Sequence, residues 1–206
     1  ASGTFQGDRY TVAHLGYSAA LSDTLSLSTR AFVGDYRYES VLMYDGLPYD
    51  YPASAAWHGA ELQLVSTALA AHTLMVGAEY QRNQRIDQNI LYPDVGYVLR
   101  DRRDGYRAGV FVQDEWRIID TFASTLGLRA DHNDITGTKF SPRLGLIWNA
   151  SARSTLKLLY GRAHRAPNAY QMYYDEAVLN EDGTIDAFQR ANPGLGGEAV
   201  DTTELV

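Results

Sequence analysis

Apolar and polar residues alternate one for one over stretch after stretch of this chain, a pattern that suits a strand and not a helix. In Leu25-Ser26-Leu27-Ser28-Thr29-Arg30-Ala31-Phe32-Val33-Gly34, the residues Leu25, Leu27, Ala31 and Val33 share one parity, and Ser26, Ser28, Arg30 and Gly34 the other. At 100° per residue the apolar set would scatter around a helix axis; on a strand it makes a single apolar wall. The same holds in 73–82, with Leu74, Val76, Ala78 and Tyr80 opposing Thr73, Gly77, Glu79 and Gln81. It recurs in 107–118, 123–132, 140–148 and 155–161, and more weakly in 9–21 and 57–69. The spacing predicts eight antiparallel strands, with a ninth beginning near residue 199.

The connections alternate as well. Short ones fall at Ser22-Asp23, Ala70-Ala71-His72, Asp120-Thr121 and 150–153; longer ones are expected near 39–56, 88–105, 133–139 and 167–198. Alternate connections of an antiparallel meander lie at the same end, so the tight turns gather at one end and the long loops at the other. A soluble sandwich has no reason to keep that asymmetry, whereas outer-membrane barrels have short periplasmic turns and longer extracellular loops. One such strand alone reads better as a half-buried strand of a soluble antiparallel sheet; the whole set, with its turn rhythm, favours an all-β, up-and-down meander in the wall of a transmembrane barrel.

Composition agrees. The chain carries 15 Tyr and 18 Gly, as β-structure with aromatic girdles requires. Its net charge of −7 argues against nucleic acid as a partner. No run approaches 18 consecutive apolar residues, so no transmembrane helix is expected, which leaves a barrel open. There is no cysteine, hence no thiol nucleophile and no disulfide framework. His14, His58, His72, His132 and His164 lack metal-ligand spacing, and no nucleophile elbow or phosphate-cradling loop occurs, so neither metal nor cofactor nor catalytic residues are expected. Asp45-Gly46 and Asp182-Gly183 read as turns.

The second half carries a more specific pattern. Gln113-Asp114-Glu115-Trp116 leads into Leu126-Gly127-Leu128-Arg129-Ala130-Asp131, then Phe140-Ser141-Pro142-Arg143-Leu144-Gly145, then Leu156-Lys157-Leu158-Leu159-Tyr160-Gly161-Arg162-Ala163-His164-Arg165-Ala166-Pro167, with Asn192-Pro193-Gly194 and Thr203-Glu204-Leu205 following. Each piece is weak; the ordered set resembles the barrel of TonB-dependent outer-membrane receptors over roughly 107–206. His164 stands where that family usually has Phe, and no ligand role is attached to it. The resemblance implies that residues 1–206 are part of a 22-stranded barrel, about eight strands and the start of a ninth, without plug domain or TonB box. The absence of a leader-like start and the strand opening at Thr202-Thr203-Glu204-Leu205-Val206 lead to the same expectation of a piece of a longer protein.

The resemblance further implies active uptake of a scarce, bulky nutrient across the bacterial outer membrane, such as a ferric siderophore, energised through TonB. The expected partners are outer-membrane lipid, the protein's own plug, TonB and the ferric chelate. Glu79, Gln81, Gln113, Glu115, Arg117, Arg129, Asp131, Arg143, Lys157 and Arg165 would face the lumen and the plug. Tyr44, Tyr49, Tyr51, Arg100, Arg102, Arg103, Tyr173 and Tyr174 would lie in extracellular loops as candidate ligand contacts, by stacking and charge. Tyrosines at strand ends also serve as a lipid-boundary girdle, and polar residues face a lumen simply because water is there. An intact small barrel with a structural or adhesion role is the alternative, since eight strands can close one.

Overall fold

The computed structural model describes residues 3–179 and 184–206; Asp182-Gly183 lies outside them. β1 (Phe5–Ser22) and β2 (Leu25–Tyr44) form the first hairpin. β2 turns at Asp45-Gly46 into the short β3 (Leu47–Asp50). There φ is 51° at Asp45 and 78° at Gly46, the left-handed pair of a two-residue hairpin turn that Asp-Gly adopts readily. β4 (Ala53–Ser66) pairs antiparallel with β2, and β5 (His72–Tyr92), β6 (Gly96–Ile119), β7 (Phe122–Asn133), β8 (Gly137–Ser151) and β9 (Ser154–Arg165) continue the meander from it, each antiparallel to the last. An excursion then carries α1 (Ala169–Tyr173) and the hairpin β10 (Glu176–Leu179) and β11 (Ile185–Gln189). β12 (Glu198–Leu205) returns to pair with β9. The ninth wall strand thus stands where the alternation placed it.

The register carries one parity across the sheet. Leu27, Leu64, Val76, Val112, Leu128 and Pro142 are successive cross-strand partners, so the apolar sets of separate strands merge into one band. That band is bare: Leu15 is 78% exposed, Val110 57% and Leu126 50%. Among the described residues only Ile90 and Met172 are buried hydrophobics. A single-layer sheet of this kind has no core to hold it in water, where its oily face would aggregate; a bilayer satisfies that face. Trp116 and Trp148 mark the band at the turn end, where Trp116 stacks on His72, itself 2.9 Å from Asp114. Tyr80 and Phe140 mark it at the other end. The height between is eight to ten residues, about 25 Å after tilt.

The tilt is written in the pairing. Along the register the turn end steps down by about six residues from Leu25 on β2 to Ser154 on β9, across six inter-strand steps. That is roughly 20 Å down for roughly 29 Å across, a slope of about 35°, as in membrane barrels. Register irregularities fall at Ala20/Ser22, Ala56/Trp57 (an extra Gln84 in β5), Ile90/Leu91, Arg117/Ile119 and Asn149/Ser151. All lie at strand ends or above the band; within it the alternation runs unbroken.

Two of the expected long loops are corrected. Residues 88–105 and 133–139 are mostly paired strand, turning only at 93–95 and 134–136. β6 has 24 residues, about 80 Å of strand, against a hydrocarbon core of about 30 Å. Its upper half stands beyond lipid, where neither face must be apolar, so the alternation that reveals a strand disappears. The truly long connections at that end are 45–52, which contains β3, and 166–197.

Candidate functional site

The face opposite the apolar band holds the polar residues of the same strands. Glu79, Gln81, Gln113, Glu115, Arg117, Arg129, Asp131, Arg143, Lys157 and Arg165 all lie on it by register. Its centre is an ionic cluster. Arg30 on β2 grips Glu61 on β4 in a bidentate pair, with contacts of 2.7 and 3.1 Å. Arg129 on β7 reaches Asp131 on its own strand at 2.6 Å and Glu79, two strands away on β5, also at 2.6 Å. The second reach depends on Gly109 of β6, which lies between: a Cβ there would run into the Arg129 guanidinium and the Asp131 carboxylate. Phe32 and Phe111 lie against the two arginines, their rings 5.8 and 6.0 Å from the respective guanidinium carbons. Arg107 donates to Gln81 at 3.0 Å, Gln113 donates to Glu115 at 3.2 Å, and Arg165 pairs with Glu198 at 3.0 Å. Arg117, Arg143 and Lys157 face inward without an ion-pair partner among the described residues. Arg30 and Glu61 were not in the expected inward set, although the alternation of β2 and the Gly59-Ala60-Glu61-Leu62 segment carries the signal for both.

A second cluster forms where the excursion after β9 folds back over the tops of β3, β5 and β6. Asn168 caps α1 by accepting from the Gln171 backbone at 2.8 Å, while the Gln171 side chain accepts from the Asn168 backbone at 3.1 Å. This box sets the direction of the helix. Glu176, just past it, accepts from Tyr92 at 3.0 Å and from Tyr174 at 2.8 Å, and the Tyr51 phenol lies alongside the same carboxylate. Burial, with Glu176 alongside, pushes the phenols of Tyr51 and Tyr174 well above the usual tyrosine range. Tyr49 packs edge-on against both Tyr44 and Tyr92, with ring centroids 5.4 and 4.9 Å apart. Arg103 lies 3.8 Å over the ring of Tyr173 and bonds Asp101 at 2.8 Å.

The expected loop contacts therefore divide. Tyr44, Tyr49, Tyr51, Arg103, Tyr173 and Tyr174 come together at this mouth. Arg100 and Arg102, expected in a loop, stand on β6 with the opposite, outward parity: Arg100 lies 5.3 Å from the Tyr97 ring, and Arg102 is 3.7 Å from Asp87. Tyr92 joins the cluster unforeseen, because its partner Glu176 is 84 positions away. His164, for which no ligand role was expected, lies 3.0 Å from the Phe140 carbonyl oxygen through its Nε2. Among the described residues no group of three or more His, Cys, Asp or Glu side chains is placed to hold a metal.

A tilted, single-layer antiparallel meander with an oily outer band and an ionic inner face defines the wall of an outer-membrane β-barrel. The chain belongs to the TonB dependent receptor-like, beta-barrel family, whose model matches residues 1–205. It is 34% identical over 101 residues to the ferric enterobactin receptor of Pseudomonas aeruginosa, covering 47% of this chain and 14% of that protein. It is 28% identical over 125 residues to the ferrienterobactin receptor of Escherichia coli K12, covering 54% and 17%. A solved ferric enterobactin receptor from Pseudomonas aeruginosa, in complex with enterobactin, superposes with a TM-score of 0.59 at 19% identity, over 99% of this chain and 42% of that one. The copper transporter OprC gives 0.68 at 15% identity, over 82% and 32%. The chain thus spans well under half the length of these relatives, and the solved structures speak for the fold.

Proposed function

We propose that this chain is part of an active transporter that takes up a ferric siderophore or similar metal chelate across the outer membrane, energised through TonB, rather than part of an enzyme. The observation that carries the reading is the cluster at the mouth: three phenols converge on the Glu176 carboxylate, and Arg103 lies over Tyr173 beside them. Aromatic faces and a guanidinium suit a bulky, anionic, ring-rich chelate. The named relatives that are ferric enterobactin receptors support that substrate class.

On this reading the inner ionic face holds the plug. Arg117, Arg143 and Lys157 supply charge that the wall itself does not neutralise. The Arg30–Glu61 and Glu79–Arg129–Asp131 groups hold their geometry without it. A small closed barrel with a structural or adhesion role is not favoured, since the family match runs through the whole wall and its named members are receptors. The test is uptake of an iron-55-labelled catecholate chelate by cells carrying the full-length gene, its deletion, or a deletion complemented with the Arg103→Ala variant. Uptake that is lost on deletion and weakened by Arg103→Ala is expected; uptake unaffected by deletion overturns the proposal.

A further inference from the structure

Glu176 is half-buried at the mouth and has no cationic partner among the described residues. The groups that hold it are neutral. Tyr92 donates to Oε1 at 3.0 Å and Tyr174 to Oε2 at 2.8 Å, one phenol on each carboxylate oxygen. Arg103 is bound to Asp101 instead. Tyr92 ends β5, Tyr174 closes α1 and Glu176 opens β10, so the three meet only because the excursion docks. Tyr49 flanks Tyr92 edge-on at 4.9 Å between ring centroids, and Tyr170 flanks Tyr174 at 4.6 Å. Among such rings an uncompensated negative charge is costly.

The spacing of the oxygens suits a cation. A hard six-coordinate ion holds its ligand oxygens at about 2.0 Å, which sets adjacent ones about 2.8 Å apart. The two phenol-to-carboxylate separations, 2.8 and 3.0 Å, are already of that size. The carboxylate lies between the phenols with both oxygens turned to them, as a bidentate ligand would.

The donors select the ion. Calcium and magnesium take carboxylates, carbonyls and water. They do not displace the proton of a phenol such as Tyr92, which burial and then its bond to Glu176 push up to about 12. A small trivalent ion does displace it, because its field makes the phenolate the favoured form.

We propose that Glu176, Tyr92 and Tyr174 bind a ferric ion directly, as a site of the protein's own and not through a chelate. The two phenol protons leave to solvent as the ion enters, and the iron stays ferric. Two phenolates and one carboxylate balance the ion's charge, so the occupied site is neutral. The coordination positions left over go to water.

The test titrates the full-length receptor, purified in detergent and stripped of iron, with ferric nitrilotriacetate. A visible phenolate-to-iron charge-transfer band that saturates at one iron per receptor is expected. Y92F, Y174F and E176Q should each weaken binding by at least about tenfold, since even outer-shell partners of a metal are worth that much. The control Y17F, far from the mouth on β1, should match wild type. No band in wild type, iron bound without a band, or a full band in the Y92F/Y174F double variant overturns the proposal. If a variant does not assemble, resonance Raman spectra of the wild-type band decide: tyrosinate modes support the site and their absence overturns it. Wild type that imports the labelled catecholate chelate but shows no band loses this site and keeps the uptake reading; a band without import does the reverse.

Discussion

Tyr92, at the top of β5, donates a 3.0 Å hydrogen bond to Glu176, which lies 84 positions further along the chain in the excursion after β9. With Tyr174 on the same carboxylate and Tyr51 beside it, this contact ties the excursion to the barrel rim. Glu176→Gln keeps the shape but weakens two charge-assisted bonds. Hydrogen exchange of the amides in 169–179 should accelerate severalfold in the full-length variant, with exchange in the wall strands unchanged. Exchange indistinguishable from wild type would show that the tie contributes nothing.

The same cluster sets a pH window. The phenols of Tyr51 and Tyr174 are raised above their unfolded value, so the stability they contribute is complete below about pH 10 and is lost as pH climbs through the raised values. Docking of the excursion should therefore be constant from pH 6 to 9. In an ultraviolet titration of phenolate absorbance these tyrosines should ionise after the exposed ones, and Glu176→Gln should bring them earlier.

Arg103 and Arg100 stand three residues apart on β6 with opposite parity. Arg103→Ala should weaken chelate binding by about tenfold, the worth of roughly 1.4 kcal/mol, while Arg100→Ala leaves it near wild type. Isothermal titration with the full-length receptor checks the pair. The reverse order would place the substrate on the wrong side of the wall.

Val112 lies in the middle of the oily band. Val112→Arg puts a guanidinium near the bilayer midplane, at a cost of about 2–4 kcal/mol. Urea unfolding in liposomes, read by the loss of heat-modifiable mobility, should show it. Gln113→Arg, one residue along and facing inward, should cost far less.

Gly109→Val tests the inner cluster. A side chain there displaces Arg129 from Glu79, which costs the two-strand ion pair and adds strain of about 1–3 kcal/mol from overpacking. Glu79→Gln in the same background should add little, because the bond it removes is already broken. Additive losses would refute the coupling.

The wall was legible in the sequence because lipid imposes a rule on every second residue. Leu25, Leu27, Ala31 and Val33 announce their strand, and Leu126 and Leu128 announce theirs. Above the band the rule lapses: Arg100, Asp101, Arg102, Arg103 and Asp104 look like a solvated loop, yet all five lie within β6 and the first four pair with β5. The short β3 and the β10–β11 hairpin were invisible for a related reason, being set by docking onto the rim. The inward charges could be assigned from parity alone. Their partners could not, since Arg129 finds Glu79 across an intervening strand through the space that Gly109 leaves.

The placing of the register irregularities has a consequence for how such a wall can change. A single residue gained or lost inside the band would exchange the oily and watery sides of everything beyond it on that strand. Above Arg82, or at the turn end, the same event costs only a local bend. Length variation among relatives should therefore collect at the two rims, leaving a girdle of fixed residue count between them. An aligner could use that invariant interval as a ruler to find the membrane in any chain of this kind.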